Sequence, residues 1–130
     1  MKRILILISA GFIILLFGVW FALRILIGQN VKENILVAKQ KYSGTAEDAL
    51  ISFLHDESNS AYDRTHTAIW TLGQIHSEKA LPILYEYYEN DPKGETCFGK
   101  HDTRLCQSKI HTAIVVIERG RLFSHARLNK

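Results

Sequence analysis

The chain has 130 residues, of which 47% are hydrophobic and 22% are charged. Its formal net charge of +3 comes from Lys2, Arg3 and Arg24, because the 13 Lys/Arg from Gln29 onward balance the 13 Asp/Glu. A neutral remainder has no basic face, so the composition argues against a nucleic-acid-binding domain and predicts no nucleic-acid partner.

An uncharged, proline-free run of 20 residues begins at Ile4 and ends at Leu23. As a helix rising ~1.5 Å per residue it spans roughly 30 Å, the thickness of a bilayer core. It is too long for the apolar segment of a cleaved signal peptide, and no convincing cleavage site follows it. Trp20 lies where interfacial aromatic side chains are typical, and Arg24 follows within snorkelling distance of the headgroups. The sequence therefore predicts a single-pass transmembrane signal-anchor over residues 1–28, with the bilayer around this run.

The basic residues on the two flanks of the anchor do not decide its orientation. Two precede it and four follow it, namely Lys2 and Arg3, then Arg24, Lys32, Lys39 and Lys41. The positive-inside rule therefore favours neither side. Within the anchor, Gly18 and Ala22 have the small-x3-small spacing that lets two helices approach closely, so a homodimer through the anchor is an open alternative.

Helical periodicity predicts an all-α chain beyond the anchor. A break at Gly28, Gln29 and Asn30 is followed by a linker over residues 29–44, whose apolar positions recur at helical spacing at Val31, Ile35, Ala38 and Tyr42. Four further helices are predicted over residues 45–55, 60–75, 78–89 and 104–119.

The ends of these helices are predicted from residues with known capping or breaking tendencies. Thr45 and Ser77 stand at N-cap positions, Pro82 lies near the start of the third helix, and Gly120 ends the fourth. A basic tail over residues 121–130 follows, which is interpreted as a solvated end, with a contact to acidic lipid or to a partner as the alternative.

The four helices repeat as two pairs. EDALISFL (47–54) is similar to EKALPILY (78–85), 31 residues later, and HTAI occurs at 66–69 and again at 111–114, 45 residues later. The 14-residue difference lies in a longer loop inside the second pair. The sequence therefore predicts a helical hairpin used twice over residues 45–120.

The junction LGQIHSEKALPIL (72–84) resembles the HEAT repeats of phycobilin-lyase-like proteins. The matching residues are Ala68, Leu72, Gly73, Ile75, Ala80, Leu81, Pro82 and Leu84. In the second copy Ala113 and Ile117 match, but Glu118 replaces the family's glycine. The resemblance implies a short α-α superhelix of about two hairpins that binds other proteins. It also raises an alternative, an enzyme accessory of the bilin-lyase type.

Cys97 and Cys106, in and beside the longer loop, are predicted to form a disulfide. A disulfide requires an oxidising compartment, so the soluble domain is expected on the periplasmic or extracellular side. Two free thiols are one alternative. The other is a zinc-stabilised module with His101 and His111 as further ligands, although this spacing matches no standard zinc pattern. The first HTAI copy also places a histidine, His66, at the position of His111 with no cysteine near it in sequence. This repeat position therefore accepts a histidine without a metal, which argues against zinc.

A stripe of His66, Trp70, His111 and Val115 is the predicted binding surface on the second helices of the two pairs. The alternative is that Trp70 packs against a neighbouring helix and the histidines are ordinary solvated side chains. No HExxH motif, phosphate-binding glycine loop or nucleophile elbow is present, so the chain is expected to be neither an enzyme nor a cofactor protein. The sequence therefore predicts a membrane-anchored HEAT-like scaffold with an unknown protein partner.

Overall fold

The computed structural model describes the backbone of residues 2–128 and the side chains of residues 11–121. Every regular element in that part of the chain is helical, which confirms the all-α class. There are five helices: α1 (Lys2–Lys41), α2 (Ala46–His55), α3 (61–74), α4 (78–87) and α5 (Gln107–Leu128). Helix α4 opens with a 3-10 turn, Glu78–Ala80, and continues as an α-helix over Leu81–Tyr87. A further 3-10 turn, Glu95–Cys97, lies in the loop between α4 and α5.

The chain divides into two compact units, Met1–Lys32 and Glu33–Lys130. Within the described residues, α1 is long and apolar enough to cross a membrane. The guanidinium carbon of Arg24 lies 5.0 Å from the centroid of the Trp20 ring, so the two predicted interfacial residues contact each other. The side chain of Ile4 lies outside the described residues.

The predicted break after the anchor is wrong, because α1 continues through Gly28, Gln29 and Asn30 to Lys41. A single glycine in a helix interior costs only about 1 kcal/mol relative to alanine, which its helix-forming neighbours offset. The segment predicted as a linker is divided between the two units. In the second unit Ala38 is fully buried, and Ile35 and Tyr42 pack against the core.

The core of the second unit collects apolar side chains from all five helices. Its largest fully buried members are Leu50, Leu54, Ile69, Leu72, Leu84, Ile110 and Ile117. Helix α2 packs against α3, α4 packs against α5, and α3 packs against α5. Where α3 meets α5, a Cβ atom added to Gly73 would lie 3.1 Å from the Cα of Ala113. The two helices therefore approach each other at a position that has no side chain.

The predicted last helix is wrong at both ends, since α5 begins at Gln107 and continues past Gly120 to Leu128. A Cβ atom on Gly120 would overlap the ring of His76, so this glycine provides space and does not end the helix. His76 has a φ of 54° and closes α3, where the Ser77 amide donates to the Leu72 carbonyl at 3.0 Å. The side chains of the basic tail beyond Arg121 lie outside the described residues.

The two predicted N-caps differ. The Thr45 hydroxyl accepts the Asp48 amide, so the predicted N-cap is confirmed. The Asp48 carboxylate also accepts the Thr45 amide, both at 3.2 Å, and the two bonds form a capping box. Ser77 occupies the N-cap position before Glu78, but its buried hydroxyl has no hydrogen-bond partner among the described residues. Ser77 as a side-chain cap is therefore a wrong prediction.

Because only Thr45 caps its helix through its side chain, alanine substitutions at Thr45 and Ser77 are expected to change the free energy of unfolding differently. Thr45→Ala is expected to lower the free energy of unfolding by about 1 kcal/mol, since it leaves the Asp48 amide of α2 without its acceptor. Ser77→Ala is expected to leave it unchanged or to raise it by up to about 1 kcal/mol, because it removes a buried hydroxyl that makes no hydrogen bond. Thermal unfolding of the full chain in detergent measures both. Equal losses for the two variants would show that Ser77 does cap α4.

Candidate functional site

Two thiols and an imidazole meet in the loop that joins α4 to α5. The ligand atoms of Cys97, His101 and Cys106 all lie within 4.8 Å of one another. Both cysteines are buried free thiols, and His101 is exposed. The fourth predicted metal ligand, His111, is not part of this cluster, because its ring lies 5.7 Å from the ring of Tyr88. The predicted disulfide partners are thus neighbours in their reduced form.

The first arm of this loop is folded by one carboxylate. Asp91 accepts the amide of Gly94 at 2.9 Å and the amide of Thr96 at 2.7 Å. Gly94 adopts a φ of 73°, a left-handed conformation that glycine enters without a steric penalty. Its carbonyl accepts the Cys97 thiol at 3.2 Å. The turn therefore directs Cys97 toward the protein interior.

The second arm is fastened by Gln107, the first residue of α5. Its side-chain carbonyl accepts the Glu89 amide at 2.8 Å, and its amide group donates to the Tyr87 carbonyl at 3.2 Å. The Arg104 guanidinium lies 3.2 Å from both carboxylate oxygens of Glu89. These bonds join the end of α4 to the start of α5 and hold Cys106 between them.

The first turn of α5 supplies hydrogen-bond partners to both sulfur atoms. The Gln107 amide donates to the Cys97 sulfur at 3.2 Å, but burial outweighs this bond and raises the pKa of the Cys97 thiol. Burial also acts to raise the pKa of Cys106. There, the Ser108 hydroxyl at 3.3 Å and the amide and charge of Lys109 prevail and bring the pKa below its ordinary value. The Cys97 thiol also lowers the pKa of Cys106, and Cys106 in turn raises the pKa of Cys97.

A groove between α3 and α5 is the second candidate site. The half-buried Trp70 lies in it, and the other lining residues are Gly73, Gln74, Lys109, Thr112, Ala113 and Val116. One turn before Trp70, the ring of His66 lies against Tyr62 with centroids 4.2 Å apart and the ring planes 37° apart. Burial, followed by the charges of Lys109 and His101, lowers the pKa of His66, so its neutral form is favoured at pH 7.

The structure does not bring together the four residues of the predicted stripe. His111 lies against Tyr88, which follows α4, and Val115 is one turn further along α5. The groove beside Trp70 is lined by other residues of α5. The predicted surface is thus divided between two sides of α5.

The two HTAI copies also differ in backbone. The first lies in a π-helical segment of α3, Arg64–Ile69, in which the Trp70 amide donates to the Thr65 carbonyl. The second lies in the regular α-helix α5. The Thr65 hydroxyl accepts the Cys106 amide at 3.2 Å, so the loop binds the π segment directly. Identical letters at 66–69 and 111–114 therefore do not have identical local geometry.

Sequence reasoning missed the α5 side of the groove, although its spacing was visible. Lys109, Thr112, Ala113 and Val116 follow the i, i+3, i+4, i+7 pattern that places residues on one helix face. Comparisons of the chain with protein-family models, curated proteins and solved structures found no match. The resemblance to HEAT repeats therefore stays a prediction.

Proposed function

We propose that this chain is a membrane-anchored helical scaffold that holds a partner protein at the bilayer. The observation that carries the proposal is the continuity of α1. One helix contains the apolar stretch and also contributes Ala38, with no exposed surface, to the core of the folded unit. A chain built in this way tethers its folded unit to the membrane. The anchor itself is supported by the length and composition of α1 and by the Arg24–Trp20 contact.

The arrangement of α2 to α5 is compatible with two stacked HEAT-like hairpins. The pairs α2/α3 and α4/α5 are in contact, and so are the second helices of the two pairs, α3 and α5. Repeats of this type bind partners along their second helices, as the resemblance implies. On that reading, the surface between α3 and α5 is the one that receives a partner.

We assign the partner contact to the groove beside Trp70. A half-buried tryptophan offers a large apolar area that is already partly ordered, and such residues dominate the binding energy of many interfaces. Lys109 is exposed at the same groove and favours a carboxylate on the partner. The expected occupant is a protein segment with an apolar side chain next to an acidic residue.

Site-specific photo-crosslinking in membranes tests this proposal. A crosslinker at Thr112, in the groove, is expected to capture one partner, whereas one at the exposed Glu86 on α4 captures none. Trp70→Ala is expected to reduce the Thr112 product at least about 30-fold, because loss of a hot-spot side chain costs 2 kcal/mol or more. Equal products from Thr112 and Glu86, or a Thr112 product unaffected by Trp70→Ala, would contradict the assignment. Release of the wild-type chain from membranes by alkaline carbonate would contradict the anchor.

A further inference from the structure

We propose that Cys97, His101 and Cys106 bind a single Zn²⁺ ion, with the fourth position open to water. Zn²⁺ prefers thiolate and imidazole ligands in tetrahedral geometry, and these three residues supply two of the first and one of the second. Their ligand atoms already lie within 4.8 Å of one another. The exposed imidazole of His101 places the open position on the solvent side of the two buried sulfur atoms.

The distances are compatible with coordination after a small inward movement. In a tetrahedral site with Zn–S bonds of about 2.3 Å and a Zn–N bond of about 2.1 Å, the two sulfur atoms are about 3.8 Å apart and each lies about 3.6 Å from the nitrogen. Atoms within 4.8 Å of one another therefore need to close by no more than about 1.2 Å. His101 lies on the loop and is exposed, so its ring can make this movement without disturbing the core.

The surroundings of the sulfur atoms suit thiolates held by a metal ion. The Gln107 amide donates to the Cys97 sulfur, and the Ser108 hydroxyl lies 3.3 Å from the Cys106 sulfur. A thiolate can only accept, so both groups would donate to it, and such donors orient metal ligands and stabilise their negative charge. The backbone N–H groups at the N-terminus of α5 also stabilise the thiolates, since a helix N-terminus favours anionic groups.

The imidazole is what distinguishes a metal site from a disulfide. A disulfide needs only Cys97 and Cys106 and would not require His101 within 4.8 Å of both. Metal binding instead requires both thiols to be reduced and deprotonated. The proposal therefore replaces the predicted disulfide, and with it the reason for expecting the folded unit outside the cytoplasm.

The ion would join the loop after α4 to the first turn of α5. Cys97 and His101 belong to the loop, and Cys106 immediately precedes α5. None of the three ligands lines the groove beside Trp70, although Lys109 of that groove acts on the Cys106 sulfur. Zinc binding and partner binding are therefore tested with different variants, His101→Ala for the ion and Trp70→Ala for the partner.

Metal titration of the reduced full chain in detergent micelles tests the site. We expect one equivalent of Zn²⁺ to be retained after gel filtration. Co²⁺ is expected to give a thiolate-to-metal charge-transfer band and the visible bands of a tetrahedral centre. His101→Ala is expected to weaken Zn²⁺ binding on the order of 100-fold while leaving the circular dichroism spectrum unchanged, because an exposed ligand is lost without a cavity. Cys97→Ser and Cys106→Ser are expected to abolish the charge-transfer band.

His111→Ala is the matched control, because His111 has the ligand chemistry but lies against Tyr88. It is expected to retain the Zn²⁺ affinity of the wild type. The proposal is overturned if His101→Ala binds Zn²⁺ as tightly as the wild type, or if the reduced chain retains less than one tenth of an equivalent. A disulfide in the native chain, seen as a mass two hydrogens lower, with no Zn²⁺ uptake after reduction, overturns it as well.

Discussion

Gly73→Leu is expected to destabilise the folded unit by about 2–3 kcal/mol, because it forces α3 and α5 apart. A Cβ atom at position 73 would lie 3.1 Å from the Cα and 3.2 Å from the Cβ of Ala113, closer than ordinary contact distance. The first neighbour is backbone, so it cannot rotate away. Leucine has a better helix propensity than glycine by about 0.8 kcal/mol, which offsets only a minority of this cost. Thermal unfolding of the full chain in detergent measures the difference.

Two variants separate packing from helix propensity. Gly28→Leu makes the same change at a helical glycine that has no atom within 4 Å of a Cβ position, so the melting temperature should not fall. Ala113→Gly should partly rescue Gly73→Ala in a double-mutant cycle, since it removes one of the two close contacts. A Gly73→Leu protein as stable as the wild type would show that α3 and α5 can separate at this point without loss.

Features governed by nearby residues were predictable from the sequence. Thr45 and Asp48 are three residues apart, and the capping box that they form needs no other part of the chain. The apolar positions of α2 also follow from local periodicity, and Ala49, Leu50, Phe53 and Leu54 are all buried. The all-α class followed from such patterns.

Features set by distant contacts were not predictable. Gly120 reads as a helix end because glycine commonly ends helices, but here it accommodates the ring of His76, 44 residues earlier. The π segment of α3 is likewise in contact with a loop that is distant in sequence, because the Thr65 hydroxyl accepts the Cys106 amide. The helix propensities of neighbouring residues predict neither the Gly120–His76 contact nor the Thr65–Cys106 contact.

The candidate metal site illustrates the same limit. The short spacing between Cys97, His101 and Cys106 indicated a possible ligand set, and the structure places these three together. His111 has an equally short spacing from Cys106, but it lies within α5, where the helix face it occupies is directed to Tyr88. The predicted helix over residues 104–119 already contained His111, but spacing alone did not show that His111 lies against Tyr88 and outside the cluster.

Arg64→Ala is expected to destabilise the folded unit by about 3 kcal/mol, because it removes a buried cation that closes the end of α2. Arg64 is 9% exposed, and its Nε donates to the Leu54 carbonyl at 2.6 Å. Its guanidinium carbon lies 5.8 Å from the centroid of the Tyr87 ring, and no carboxylate among the described side chains forms an ion pair with it. A charge-assisted bond to a carbonyl contributes about 1.5–3 kcal/mol and an aromatic contact about 1 kcal/mol. Denaturant unfolding measures the loss.

Arg104→Ala is the matched control, since the Arg104 side chain is 44% exposed and pairs with a carboxylate that is also half exposed. Exposed ion pairs of this kind contribute no more than about 1 kcal/mol, so this variant should remain close to wild type. Arg64→Lys should fall between the two, because lysine keeps the charge and the apolar stem but cannot reproduce the geometry of the guanidinium. If Arg64→Ala proves no worse than Arg104→Ala, water satisfies the Leu54 carbonyl and the buried cation does not hold α2 against α3.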